Sequence, residues 1–233
     1  MECVILAGGL GTRLRSAVSD LPKCMAPVAG RPFLHYLFRY LEGQPVERVI
    51  LSVGYMHEKV TGWAREGRWK FEVTSVIEEE PLGTGGAIRL ALGAATREQV
   101  LILNGDTFFD VNLSRLRAEH RKSGAVLSMA LKPMDRFDRY GNVTTDAGGR
   151  ILAFHEKQFC EKGQINGGVY LMERNSGLFD GLPQKFSFET DVLQKRHGAC
   201  HFHGMPFDGY FIDIGIPSDY RRADEEFAGI FPC

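Results

Sequence analysis

Short apolar runs alternate along the chain with stretches whose apolar residues recur every three or four positions. Cys3–Ala7, Arg48–Val53, Phe71–Ile77 and Val100–Asn104 are apolar runs of strand length. Between them, the apolar positions at about Phe33–Leu41, His57–Gly67 and Gly85–Ala95 follow helical spacing. Strands alternating with helices predict a Rossmann-like, doubly wound α/β fold: a mostly parallel mixed sheet flanked by helices. A further helix at about Leu113–Ser123 leads to an apolar strand at Ala125–Lys132. Beyond it the pattern changes. Tyr140–Thr145 and Arg150–His155 flank Asp146-Ala147-Gly148-Gly149, a turn signal that predicts a small antiparallel hairpin region. Val169–Met172 and Gly209–Ile214 read as short strands, and Phe188–Arg196 and Ser218–Phe227 as helices. No repeat, low-complexity segment or Pro/Ser-rich linker interrupts the pattern, so residues 1–233 are expected to form a single domain.

Composition narrows the function by exclusion. A formal net charge of −1 gives no electrostatic footprint for nucleic acid. No apolar run reaches the length of a membrane span, and Met1-Glu2 opens the chain without a basic n-region, so neither a membrane nor a signal peptide is expected. The five cysteines are scattered and contain no Cys-x-x-Cys pair, which argues against a disulfide framework or a zinc site. Reduced thiols and a cytoplasmic location follow as expectations. The seven histidines, including His201-Phe202-His203 in a strand-like stretch, form no ligand set and are read as surface or structural.

The strongest chemical signal is Leu6-Ala7-Gly8-Gly9-Leu10-Gly11-Thr12-Arg13-Leu14, directly after the first strand and followed by Pro22-Lys23. Glycines let backbone N–H groups come close to a ligand, and a concave row of N–H groups suits phosphate oxygens. Arg13 and Lys23 add full positive charges, which points to a nucleoside triphosphate. The loop is not a P-loop, because no Gly-Lys-Ser/Thr occurs. It is not a dinucleotide loop either. Leu14 stands where the third glycine should be, and Leu51-Ser52-Val53-Gly54-Tyr55 supplies no acid for a ribose.

Together with Pro22-Lys23, this loop resembles the signature of the sugar-1-phosphate nucleotidyltransferases, whose domain is GT-A-like. The likeness continues in order along nearly the whole chain. Glu78-Glu79-Glu80-Pro81-Leu82-Gly83-Thr84-Gly85-Gly86-Ala87 is similar to the nucleobase loop, and Asn104-Gly105-Asp106 to the metal-binding aspartate. Glu156-Lys157, Asn166-Gly167-Gly168-Val169-Tyr170 and Asp213-Ile214-Gly215 are similar to the sugar and second metal positions. The resemblance implies that about 1–110 form the nucleotide-binding half and about 111–233 the sugar-phosphate-binding half. It implies catalytic roles for Arg13, Lys23 and Asp106, and Mg²⁺ on Asp106 and Asp213. Nucleotide contacts would come from Leu6, Ala7, Gly8, Gly9, Gly11, Thr12, Arg13, Lys23, Glu79, Glu80, Gly83, Thr84 and Asn104. Sugar-phosphate contacts would come from Gly141, Glu156, Lys157, Asn166, Gly168 and Glu189, with Tyr140 and Asn142 beside them. Glu189 and Asp191, after Ser187, could equally be helix-capping residues. The carboxy-terminal β-helix of many relatives is not present in the sequence, so no attached acyltransferase is expected.

The implied reaction needs no general base. A sugar 1-phosphate has a second pKa near ~6 and is mostly dianionic at neutral pH. Two polyanions must instead be aligned and their charge stabilised, work for N–H groups, cations and a hard metal. Three acids at the base loop match guanine, whose N1–H and N2–H₂ donors a carboxylate accepts together, and match uracil or thymine poorly. Which of Glu78, Glu79 and Glu80 faces the base stays open. Within the family the likeness runs to the short bacterial D-glycero-α-D-manno-heptose 1-phosphate guanylyltransferases. It is carried by Pro22-Lys23-Cys24-Met25-Ala26-Pro27, Phe137-Asp138-Arg139-Tyr140-Gly141 and Lys185-Phe186-Ser187-Phe188-Glu189, among other segments. The expected partners are thus GTP and that heptose 1-phosphate, for a monomer or homodimer. The alternatives are guanylyl transfer to mannose 1-phosphate, uridylyl transfer to another sugar phosphate, and a non-catalytic sugar-nucleotide sensor.

Overall fold

The computed structural model describes residues 1–9 and 20–231; Gly11, Thr12 and Arg13 lie outside the described residues. The expected fold class is present. Strands β1 (Glu2–Leu6), β4 (Arg48–Val53), β5 (Glu72–Ile77) and β6 (Gln99–Asn104) pair in parallel in the order β6-β1-β4-β5. Two minimal strands, β2 (Pro27–Val28) and β3 (Arg31–Pro32), make a separate hairpin before helix α1 (Phe33–Glu42). Helix α2 (His57–Glu66) joins β4 to β5, and α3 (Gly83–Leu92) joins β5 to β6.

This order creates a reversal. From β1 the chain moves outward through β4 to β5, then α3 carries it back to β6 on the other side of β1. In an open α/β sheet the crevice at such a reversal, outside the carboxyl ends of the strands, is where ligands bind. Here Ala7-Gly8-Gly9 leave β1 and Gly105-Asp106 leave β6 side by side; the Gly105 N–H donates to the Leu6 carbonyl at 3.0 Å.

The second half extends the sheet mainly with antiparallel strands, the exception being the parallel pairing of Phe202–Pro206. β11 (Cys160–Glu173) pairs with β6 and with β8 (Leu127–Phe137), while β9 (Gly141–Thr145) and β10 (Ile151–Lys157) form the expected hairpin. β12 (Phe202–Pro206) adds to β8, and β7 (Thr107–Phe109) pairs with β13 (Phe211–Asp213). Helix α4 (Leu113–Ser123) precedes β8, and α5 (Pro217–Ile230) follows β13. The short strand expected at Val169–Met172 is the end of this 14-residue strand. Its first part, Cys-Glu-Lys-Gly-Gln-Ile-Asn-Gly-Gly, carries polar and glycine residues that hide the strand period, but its backbone pairs with β8 from Phe137 onward. The strand expected over Gly209–Ile214 shortens to Phe211–Asp213 because only those residues find a partner in β7.

Alternation along the buried strands divides the core in two. Cys3 and Ile5 face a core with α1, α2 and α5, whereas Val4, Ile50 and Ile102 face one that contains Ile88 and Ala91 of α3. The second core also takes Phe188, Val192 and Leu193 from the segment expected as a helix at Phe188–Arg196, which is a π-helix over Phe188–Gln194.

Candidate active site

Two connected clefts open along the reversal. The first, about 520 Å³, holds the ends of β1, β6 and β13, the β9–β10 hairpin, the glycine-rich part of β11 and the π-helix. The other, about 600 Å³, lies between Gly8-Gly9, Gly54-Tyr55 and the Glu78–Thr84 loop. Leu6, Gly9 and Thr84 line both, so the two are continuous.

The first cleft carries a charge cluster beside this seam. A single 3₁₀ turn, Lys23–Met25, closed by the Met25 N–H on the Pro22 carbonyl at 2.8 Å, presents Lys23. Its ammonium donates to Asp106 Oδ2 at 2.5 Å and stands 3.7 Å from Asp213 Oδ1. Asp106 follows β6 and Asp213 ends β13; pairing of Asp213 with Thr107 brings residues more than a hundred positions apart in sequence together. The Lys23 side chain is 13% exposed and the two carboxylates 37% and 31%. The cluster is therefore shielded from below and open toward the cleft. Two partly exposed carboxylates are hard oxygen donors of the kind that hold Mg²⁺ together with phosphate oxygens and water. Space is kept for such a group: a Cβ on Gly215 would stand 2.8 Å from Asp213 Oδ1 and 3.0 Å from Lys23 Nζ. Among the described residues no group of three or more His, Cys, Asp or Glu is placed to hold a metal ion. Neighbouring Cys24 is buried, and burial pushes its thiol up to about 12, which leaves it neutral.

The first cleft gathers Leu6, Ala7, Gly9, Lys23, Thr84, Asn104, Asp106 and Asp213 from the expected set. It also gathers Gly141, Glu156, Lys157, Asn166, Gly168 and Glu189. Asn166 is fixed on both sides: its Nδ2 donates to the Tyr170 hydroxyl at 2.7 Å and its Oδ1 accepts from the Gly168 N–H at 3.0 Å. Gly168 has φ +71°, and a Cβ there would meet Asn104 Nδ2 at 2.8 Å, so this close approach requires glycine. Glu189 does not cap the π-helix. Ser187 Oγ accepts from the Thr190 N–H and donates to Glu189 Oε2 at 3.0 Å, while Asp191 Oδ2 accepts from the Ser187 N–H, so Glu189 is tied to the capping serine and lines the cleft. There Glu189 Oε2 accepts from Thr84 Oγ1 at 2.6 Å, a tie between the α3 start and the π-helix.

Gly8, Glu79 and Gly83 line the second cleft, and Glu78 lies beside them. Glu80 is exposed and lines neither cleft. Glu78 is tucked under the glycine loop, where its Oε2 accepts from the Leu82 N–H at 3.2 Å and its Oε1 from the Ser52 hydroxyl at 3.4 Å. Burial pushes its carboxyl up, against the two hydrogen bonds that favour the charged form. Gly54, Tyr55 and His57 were not expected in the site. They come from the β4–α2 connection, and the sequence signal for them is the strand-end position of Gly54-Tyr55 next to the reversal.

Tyr140 lines the first cleft near Asp213. Burial, with Asp213 nearby, pushes its phenol up to about 12. Arg139 lies over the Tyr140 ring and donates from Nη2 to Asp219 Oδ2, a buried acid in the first turn of α5. The same helix anchors the segment after Lys23: Tyr220 donates to the Pro27 carbonyl at 2.5 Å, and Asp224 Oδ1 accepts from the Ala29 N–H at 2.7 Å. No described helix is long and apolar enough to cross a membrane.

An open α/β sheet with its paired aspartates and lysine at the reversal crevice has the architecture of an enzyme that handles nucleotides. The chain belongs to the Nucleotidyl transferase family, which it matches over residues 2–228. It is 49% identical over 226 residues to the D-glycero-α-D-manno-heptose 1-phosphate guanylyltransferase of Aneurinibacillus thermoaerophilus, covering 97% of this chain and 98% of that one. Its identity to the Campylobacter jejuni protein of the same name is 43% over 220 residues, 94% of this chain and 97% of that one. HddC from Yersinia pseudotuberculosis, solved in complex with GMP-PN, superposes with a TM-score of 0.87 at 37% identity, over 97% of this chain and 99% of that one.

Proposed function

We propose that the protein transfers GMP from GTP to D-glycero-α-D-manno-heptose 1-phosphate and releases pyrophosphate. The carrying observation is the Asp106–Lys23–Asp213 cluster beside the seam of two continuous clefts. One cleft suits a nucleobase and the other a sugar phosphate. The near full-length identity to two guanylyltransferases supports the choice of both substrates.

On this reading the nucleobase enters between Tyr55 and the Glu78-Glu79 edge, where carboxylates accept the paired donors of guanine. Lys23 and the N–H groups of the Ala7–Gly9 turn face the triphosphate; Gly11, Thr12 and Arg13, outside the described residues, are proposed as further contacts to it on the family resemblance alone. Lys157 and Gly141, paired across the β9–β10 hairpin, receive the sugar phosphate, and Asn166, Glu156 and Glu189 receive sugar hydroxyls. A phosphate oxygen of the sugar attacks the α-phosphorus as the bond to pyrophosphate breaks, and the leaving group departs with the electron pair. Asp106 and Asp213 would hold Mg²⁺, which supplies charge neutralisation on phosphate oxygens when bound. Lys23, already shared between those carboxylates, is placed to follow negative charge as it moves to the leaving oxygen.

The test is pyrophosphate release from purified protein with Mg²⁺, each of four nucleoside triphosphates and several sugar 1-phosphates. GTP with the heptose 1-phosphate is expected to give the highest kcat/KM. Release with UTP but not GTP overturns the base assignment, a preference for mannose 1-phosphate overturns the sugar, and no release with any pair overturns the enzyme reading.

A further inference from the structure

The π-helix at Phe188–Gln194 changes which side chains reach the cleft. In an α-helix of 3.6 residues per turn, a residue five positions on points about 140° away from the first. A helix closed between residues five apart brings that fifth residue back over the first. Here Glu189 and Gln194 both line the sugar side of the first cleft, with Leu193 beside them, while Phe188 and Val192 are buried behind. The Gln194 backbone carbonyl is occupied by His197 Nδ1 at 2.8 Å. Its side-chain amide has no hydrogen-bond partner among the described residues, so its donor and acceptor are both available to a ligand.

Strand β10 sets the distance from the phosphate. Lys157 pairs with Gly141 near Tyr140 and Asp213, and Phe154 pairs with Val143 three residues back along the strand. A register shift between them absorbs one residue, since their partners Val143 and Gly141 are two positions apart, so the separation is roughly 7 Å at about 3.3 Å per residue, comparable with the reach of a sugar 1-phosphate from phosphorus to its exocyclic carbons. Phe154 lines the cleft and is held edge-on by His197, at 5.6 Å between ring centroids. The end away from the phosphate is therefore an apolar pad, Phe154 and Leu193, beside one free amide.

We infer that Gln194 is a specificity-determining residue that recognises the exocyclic polyol tail of the sugar. The tail of a heptose, –CH(OH)–CH₂OH, carries carbons that fit against the pad and one hydroxyl more than a hexose has to offer the amide. Discrimination by one extra carbon alone is small, but a hydrogen bond aimed at the additional hydroxyl enlarges it. This inference rests on the heptose reading above, and its test separates the two.

Wild type, Gln194→Leu and Gln194→Asn are compared with saturating GTP on the heptose 1-phosphate and on mannose 1-phosphate, together with the KM for GTP. Both substitutions are expected to lower kcat/KM for the heptose roughly 5–10-fold, with less than about 2-fold change for mannose and for the GTP KM. An equal loss on both sugars, or no loss on either, overturns the role of Gln194 while leaving guanylyl transfer intact. Failure of wild-type protein to use the heptose 1-phosphate overturns the underlying reading itself. Gln194→Asn retains the amide one carbon shorter, so its loss of discrimination identifies reach, not general packing, as the cause.

Discussion

Removing the Lys23 ammonium should move two measurable quantities in opposite directions. Its nitrogen is 2.5 Å from Asp106 Oδ2 and 3.7 Å from Asp213 Oδ1, so it competes for the same oxygens that would receive a divalent cation. Two unit charges 4 Å apart repel by about 1 kcal/mol in water and about 4 kcal/mol at an effective dielectric near 20, and a divalent ion doubles this. The carboxylates are about a third exposed and the ammonium can swing aside, so the low end applies. Lys23→Ala is thus expected to tighten Mn²⁺ or Mg²⁺ binding without nucleotide by roughly tenfold, about 1.4 kcal/mol. Turnover should meanwhile fall at least ~100-fold, because a preorganised cation at the reacting phosphates is lost. Isothermal titration calorimetry or Mn²⁺ paramagnetic resonance reads the first quantity and pyrophosphate release the second. Unchanged or weaker cation binding in the variant would show that Lys23 and the cation do not share the carboxylates. Near-normal turnover would show that the phosphate site lies elsewhere.

Asp106→Asn and Asp213→Asn should each reduce turnover ~100-fold or more while thermal midpoints change little, since both side chains are partly exposed; a large drop in midpoint with proportionate activity would contradict this. Glu78→Gln should raise the KM for GTP at least several-fold without changing the KM for the sugar, whereas Glu80→Ala should leave both unchanged; equal effects would mean that the base does not enter the second cleft. His120 is buried, with Nδ1 2.8 Å from Ser128 Oγ and Nε2 3.1 Å from Glu173 Oε1, and burial holds its pKa below the ordinary histidine value despite Glu173. Unfolding therefore takes up a proton as pH falls below about 6.5, so stability present at neutral pH is lost toward the lower folded-state pKa. His120→Gln should flatten the dependence of the thermal midpoint between pH 7 and 5, and an identical slope in wild type and variant would refute the assignment.

The nucleotide half was legible because β1, β4 and β6 are buried on both faces and read as nearly unbroken apolar runs, and because the chain reversal follows from the strand–helix alternation. Lys23, Asp106 and Asp213 were identified as a cationic and an acidic pair, but only β7–β13 pairing brings Asp213 to Thr107 and so to Asp106. That contact is between short strands far apart in sequence and leaves no periodic trace. The full length of β11 was hidden for a related reason. Asn166 is in a strand because it pairs with Leu131 of β8, Gly167 and Gly168 lie in the register shift that follows, and all three line the cleft. The π-helix was invisible, since Phe188, Val192 and Leu193 satisfy ordinary helical spacing equally well. Choosing among the glutamates needed the packing of Glu78 beneath Gly8, a contact that depends on the turn and not on residue type.

Helix α5 grips Pro27 and Ala29 on one side of the cleft and, through Asp219, Arg139 on the other. Mechanically it is a crossbar. The segment after Lys23 and the loop before Tyr140 cannot drift apart unless one of these ties breaks, so their fluctuations should be correlated. The spacing between the two substrates is thereby set by a rigid rod outside both clefts, and cutting either tie should loosen alignment of the reacting phosphates before it loosens the fold.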